Sequence, residues 1–208
     1  MKVRPVGESG LLLEVADLET VHRLVAALRS AGLAGVVDIV PGYSTVLVTG
    51  EPERLDLAGL ARDLPSWELP PAGSVAGRLV EIDVVYDGED LDEVCRLTGL
   101  SAAEVVRRHT APAYVVAFLG FSPGFPYLAG LDEALHVPRR ETPRTSVPAG
   151  SVGLAGDQTG VYPSASPGGW RLIGRTDVVL FDVNREPPAL LTPGDHIRFR
   201  GSRTAGAG

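Results

Sequence analysis

The sequence predicts an α+β chain in two parts. A small N-terminal domain, an antiparallel sheet with helices on one face, precedes a domain of many short strands. Three observations carry this. A β-β-α pattern occurs twice before residue 69. Residues 69–77, LPPAGSVAG, are rich in Pro, Gly and Ala and carry no charge, which is linker composition. From residue 114 to 176, short apolar runs alternate with glycine and proline turns, the punctuation of an all-β barrel or sandwich. The expected division is therefore residues 1–77, ending in the linker 69–77, and residues 78–208.

The elements follow in order. Residues 3–6 and 11–15 read as strands joined at Gly7-Glu8-Ser9-Gly10. Asp17 caps a helix whose Leu18, Val21, Leu24, Val25 and Leu28 share one face, and Gly32 stops it. Residues 36–40 and 45–48 form a second strand pair, followed by a helix carrying Leu55, Leu60, Ala61 and Leu64. Residues 79–86 alternate as a strand that can complete either domain. Two helices come next, with capping boxes at Asp90/Glu93 and Ser101/Glu104. Leu91, Val94, Cys95 and Leu97 face inward on the first of them, and Val105 and Val106 on the second, which ends near Ala111 because Pro112 follows. Short strands are expected at 115–119, 151–154, 160–162 and 170–173. Residues 178–183 read as a strand, 189–200 as another broken at Pro193-Gly194-Asp195, and 201–208 as a frayed tail.

Composition excludes several functions. A net charge of −7 argues against a nucleic-acid partner. No apolar run approaches the ~20 residues needed to span a membrane, and the N-terminus lacks a signal-peptide core, so a cytoplasmic location is expected. Cys95 is the only cysteine and His22, His109, His136 and His196 are scattered, so no metal site is expected. Lys2 is the only lysine. A P-loop needs a lysine after its glycines, and biotin attachment needs one too. The chain is therefore expected to bind no cofactor itself. Gly150-Ser151-Val152-Gly153 places its serine second rather than third, which is not a nucleophile elbow.

What remains is a polar lining made from loops. Arg144, between Pro143 and Thr145 in a rigid turn, suits a carboxylate through its planar fork, whereas Arg139 and Arg140 read as a solvated basic face. Gln158 and Thr159, in a glycine-flanked turn, suit an amide or serve the turn's own backbone. Tyr127 and Tyr162 present phenols beside such a pocket or simply pack. Trp170 reads as core or interface. His109 either caps the end of its helix or faces the mouth of the β domain. Cys95 reads as a buried small apolar residue.

Three runs carry a resemblance: GFSPGFPYLAGL at 120–131, VPRRETPRTSVPAGSVG at 137–153 and GDQTGVYPSASPGGWRLIGRT at 156–176. Together they resemble the signature of the allophanate hydrolase subunit 1 family, whose members include the B subunit of bacterial 5-oxoprolinase and the kinase inhibitor KipI. The resemblance covers nearly the whole chain and is weaker at the N-terminus. It implies a cyclophilin-like β-barrel as the second domain, and the family often has a histidine where His109 stands. It implies a heteromer with a second barrel protein, the C subunit, related to allophanate hydrolase subunit 2. It further implies action with an ATP-binding A subunit, opening 5-oxoproline to glutamate, and inactivity of this chain alone. Arg144, Gln158 and Thr159 would then line a shared active site. The alternatives it implies are inhibition of a sensor histidine kinase, or a carboxyltransferase part acting on urea or a related small amide.

Overall fold

The computed structural model describes residues 1–74 and 77–202. The chain divides into two compact units, Met1–Ala76 and Gly77–Gly208. Part of the expected linker (75 and 76) and most of the expected tail (203–208) lie outside the described residues.

The first unit contains β1 (Lys2–Val6), β2 (Gly10–Glu14), α1 (Leu18–Ala31), β3 (Val36–Pro41), β4 (Thr45–Gly50) and α2 (Leu57–Asp63). Its sheet is antiparallel in the order β1-β2-β4-β3. Period-two alternation puts Leu11 and Leu13 opposite Val48 and Val46 on one buried face. Against that face α1 lays Val21, Leu24, Val25 and Leu28, and α2 adds Leu60. Each such side chain contributes about 1.5–3 kcal/mol on burial. The Asp17 carboxylate accepts the Thr20 N–H at 2.8 Å, and Gly32 takes the left-handed conformation at φ 56° that ends α1. Leu69, at the start of the expected linker, packs on this core, and the Pro70 carbonyl accepts from Arg23 Nε.

The second unit is the cyclophilin-like barrel. Its strands are β5 (Leu79–Val84), β6 (Tyr114–Leu119), β7 (Pro126–Ala129), β8 (Arg144–Val147), β9 (Ser151–Ala155), β10 (Gln158–Val161), β11 (Ser166–Gly168), β12 (Arg171–Arg175) and β13 (His196–Gly201). Seven of them form a mixed sheet in the order β12-β9-β10-β7-β6-β13-β5, in which β13 and β5 run parallel. The two edges meet: Val85 and Arg175 exchange N–H···O bonds of 2.9 Å, so the sheet closes on itself. This places residues 79–84 in the barrel. The seam permits no side chain at Gly88, where a Cβ would lie 2.4 Å from the Leu172 carbonyl oxygen. The barrel is filled by Ile82, Val84, Tyr114, Val116, Leu128, Val152, Leu154, Val161, Ile173, Ile197 and Phe199, and the helices α3 (Leu91–Thr98) and α4 (Ala102–Thr110) add Val94 and Val105.

Several local expectations need correction. Residues 178–183 form no strand. Arg185 donates to the Val179 and Leu180 carbonyls, the Leu180 carbonyl also accepts the Leu190 N–H, and regular pairing there is limited to the Phe181–Ala189 bridge. Residues 189–195 contribute a bridge from Ala189 to Phe181, and the regular strand begins only at His196. Gly201, expected in the tail, still pairs with Val84. Ser166-Pro167-Gly168, expected as a turn, is β11, paired with β8 at a sheet edge that tolerates proline. Leu97 is exposed and Cys95 half-buried. Asp90 makes no capping bond to α3, because its carboxylate is engaged elsewhere. At α4 only half of the expected box forms: Ser101 Oγ accepts the Glu104 N–H, while the Glu104 carboxylate turns to Arg107 and Arg108.

Candidate functional site

The six residues expected to line one site are separated by the barrel. His109 and Thr159 lie inside it, both fully buried. The His109 ring stacks on Phe199 with centroids 4.6 Å apart. The Tyr86 hydroxyl lies 2.7 Å from Nδ1, Thr159 Oγ1 lies 2.9 Å from Nε2, and Thr159 donates to the Gly153 carbonyl at 3.1 Å. The available protons fix the direction. Thr159 gives its one proton to Gly153, so His109 Nε2–H donates to Thr159 and the Tyr86 hydroxyl donates to Nδ1. The ring is neutral and fully satisfied, and burial pushes its pKa down to about 3. The Tyr114 hydroxyl donates to the His109 carbonyl. This chain of bonds ties α4 to β10 inside the core. Gln158 opens β10, half-buried, at the 155–157 turn.

Arg144 is not in a turn but begins β8, and its fork is filled by its own chain. Nη2 reaches Asp90 at 2.7 Å and Glu89 at 3.2 Å. Arg140, expected to be solvated, also reaches Asp90, at 2.9 Å. The second Asp90 oxygen accepts the Leu172 N–H at 2.7 Å. Burial alone would raise the Asp90 pKa. The Arg144 hydrogen bond, the Leu172 N–H and the charges of Arg144 and Arg140 outweigh it and hold the carboxyl below the usual range. Asp90 thus fastens β8 and the 139–144 segment to the barrel seam.

Tyr127 and Tyr162 do come together. With Phe121, Phe125, Trp170, Arg139 and the Gly168-Gly169 backbone they line a half-enclosed cavity of about 90 Å³. Its floor is Phe125, which meets Tyr162, Trp170, Tyr127 and Phe121 edge-on with centroids 5.1–5.5 Å apart. Two glycines make the approach possible. A Cβ on Gly168 would lie 2.4 Å from the Tyr162 hydroxyl, and one on Gly160 would lie 2.7 Å from the Pro126 carbonyl and close to Trp170 and Phe125. Burial raises the Tyr162 pKa, against the Trp170 backbone bond and the charges of Arg139 and Arg144.

The rim carries a strained residue. Phe121 has φ 65°, the one positive φ at a non-glycine among the described residues, and remains 61% exposed. A left-handed residue with a large side chain costs about 1–2 kcal/mol, a cost the fold sustains at sites where geometry matters. The tight 120–125 loop enforces it through Ser122 N–H to Gly120 O at 2.7 Å and Phe125 N–H to Ser122 O at 3.0 Å. Arg139 is exposed on the cavity wall and makes no hydrogen bond or ion pair among the described residues. Sequence reasoning passed over Phe121 and Phe125 and left Arg139 as a solvated charge. The available signal was an aromatic on either side of a Ser-Pro-Gly turn, where a purely structural turn needs neither.

Among the described residues no group of His, Cys, Asp or Glu is gathered as metal ligands would be, and no helix is long and apolar enough to cross a membrane.

The chain belongs to the carboxyltransferase domain family, subdomains C and D, whose pattern matches residues 1–191. Within that class its relatives are specific. It is 46% identical over 204 residues to the 5-oxoprolinase B subunit of Escherichia coli O157:H7, covering 93% of each chain. It is 40% identical to the 5-oxoprolinase B subunit of Haemophilus influenzae, covering 96% of this chain and 97% of the other. The crystal structure of TTHA0988 superposes with a TM-score of 0.84 at 42% identity, and the match covers 94% of this chain and 40% of that longer one.

Proposed function

We propose that this chain is the B subunit of an ATP-dependent 5-oxoprolinase, the hydrolase that opens 5-oxoproline to glutamate. The observation that carries this is 46% identity to such a protein along nearly the full length of both chains. The chain works with a second barrel protein, the C subunit, and with the A subunit in the cytoplasm, and is inactive alone. ATP binds on a partner. In support, the only lysine is Lys2, in the edge strand β1, remote in sequence from any glycine-rich phosphate loop. The test is co-expression with the candidate C chain, purification of the complex, and addition of the A subunit, ATP and 5-oxoproline. Glutamate formed in step with ATP hydrolysis supports the assignment. An intact three-part assembly that forms no glutamate rejects it.

A further inference from the structure

We infer that the aromatic cavity beneath Phe121 is the 5-oxoproline subsite of this chain, with Arg139 binding the substrate carboxylate. This rests on the proposed function and deepens it, because nothing in the fold class or in the relatives' names says where a substrate sits.

The cavity selects for three properties at once. Its walls are rings: Phe125, Tyr162 and Trp170 are almost fully buried, and Phe121 overhangs them. Such walls favour a compact cyclic body that packs against ring faces and edges. Its lip carries Arg139, a permanent cation with no carboxylate partner among the described residues, while the neighbouring Arg140 and Arg144 are occupied by Asp90. An unpaired guanidinium beside an apolar cavity suits an anionic group carried by an apolar body. Tyr127, half-buried on the wall, has a hydroxyl with no hydrogen-bond partner among the described residues and can serve a ring amide. A five-membered lactam acid meets all three requirements. Of the other residues expected from sequence, Arg144 has its fork filled and His109 and Thr159 are sealed inside the barrel.

Further observations mark the mouth as a place that receives something. The loop that bears Phe121 turns tightly, its Ser122 N–H bonded to the Gly120 carbonyl at 2.7 Å, and so fixes the ring over the cavity. The backbone holds Phe121 in a conformation that a merely structural turn would assign to glycine.

The experiment is equilibrium dialysis of labelled 5-oxoproline against the full chain and against the assembled complex, together with KM and kcat of the complex. Variants are Arg139→Ala, Phe121→Ala and Tyr127→Phe, with Arg198→Ala as an exposed arginine outside the cavity. Loss of a charge-assisted bond weakens binding about tenfold or more. Arg139→Ala is therefore expected to raise Kd and KM by roughly that factor, with the larger change in KM than in kcat. 2-Pyrrolidinone, which lacks the carboxylate, is expected to bind weakly and equally to wild type and Arg139→Ala. Arg198→Ala should match wild type. Circular dichroism confirms folding, and Arg139→Lys is expected to restore part of the affinity. The inference is overturned if the variants bind and turn over 5-oxoproline as wild type does, or if wild type binds none in either form. Arg139-dependent binding by a complex that makes no glutamate would keep the subsite and reject the proposed reaction instead.

Discussion

Replacing Asp90 by alanine is expected to cost the barrel unit about 3–4 kcal/mol. The carboxylate is 3% exposed and holds three donors: Arg144 Nη2 at 2.7 Å, Arg140 Nη1 at 2.9 Å and the Leu172 N–H at 2.7 Å. Alanine leaves the Leu172 N–H unsatisfied within the barrel seam, worth about 1–3 kcal/mol. It also leaves two guanidiniums without their main counter-charge. Breaking a fully buried pair costs about 3–5 kcal/mol, but the Arg140 side chain is 32% exposed and Arg144 can still reach Glu89, so the two losses together fall below their sum, at about 3–4 kcal/mol. Asp90→Asn keeps an oxygen for Leu172 and should cost about half as much. Urea unfolding followed by circular dichroism gives the numbers. With a slope of about 2 kcal/mol/M the alanine midpoint falls by about 1.5–2 M. The pH dependence has a defined sign. The folded pKa lies below the ordinary value of about 3.9, so this contribution is full above that value and is lost as pH falls through the lowered pKa. Asp90→Asn should lack that acid-side loss. An alanine variant within about 1 kcal/mol of wild type would refute the reasoning.

Other predictions follow from the same geometry. With its pKa held near 3, His109 should stay neutral in the folded chain, and its ring resonances should not titrate between about pH 5 and 8. The unfolded chain takes up this proton near pH 6.5. Stability from neutral His109 is therefore full above that value and falls by about 1.4 kcal/mol per unit of pH below it, until the folded pKa is reached. A His109 resonance titrating near neutrality would contradict the sealed chain of bonds from Tyr86 to Gly153. Gly160→Ala should destabilise the barrel by about 1–3 kcal/mol, because the new methyl meets the Pro126 carbonyl, Trp170 and Phe125. Its effect should appear as displaced Trp170 fluorescence and weaker 5-oxoproline binding, and an unchanged spectrum and midpoint would argue against the packing described. Glu104, held at about 2 first by the Arg107 hydrogen bond, should remain mostly ionised at about pH 3, as read by carbonyl carbon NMR.

Local periodicity made the first unit legible. The α1 stripe at Val21, Leu24, Val25 and Leu28, the Asp17 cap and the Gly32 stop are all short-range signals, and each strand pair is joined by a tight turn. In the barrel, β6, β9, β10 and β12 were also readable within a residue or two. β7, β8 and β11 were not, because the prolines and glycine in β7 and β11, and Pro143 and Pro148 on either side of β8, look like turns when the paired strand is unknown. The strand reading of residues 178–183 failed for another reason: an apolar run does not reveal its partner, and pairing there stops at the Phe181–Ala189 bridge. The candidate site was harder. Which arginine is free depends on Asp90, 50 residues from Arg140 and 54 from Arg144, and sequence does not reveal such a partner. By spacing alone Arg144 looked available and Arg139 looked solvated, whereas the fold occupies the first and sets the second beside an aromatic cavity. His109 and Thr159, 50 residues apart, meet only because α4 packs its end into the barrel.

The most direct test of the central claim is an add-back titration. The A and C subunits, ATP and labelled 5-oxoproline are held constant while this chain is added from zero, and glutamate is counted. The account predicts no glutamate without the chain, none from the chain alone, and a rate that rises with added chain to a plateau at a fixed molar ratio. Glutamate formed at the same rate whether or not the chain is present would contradict it.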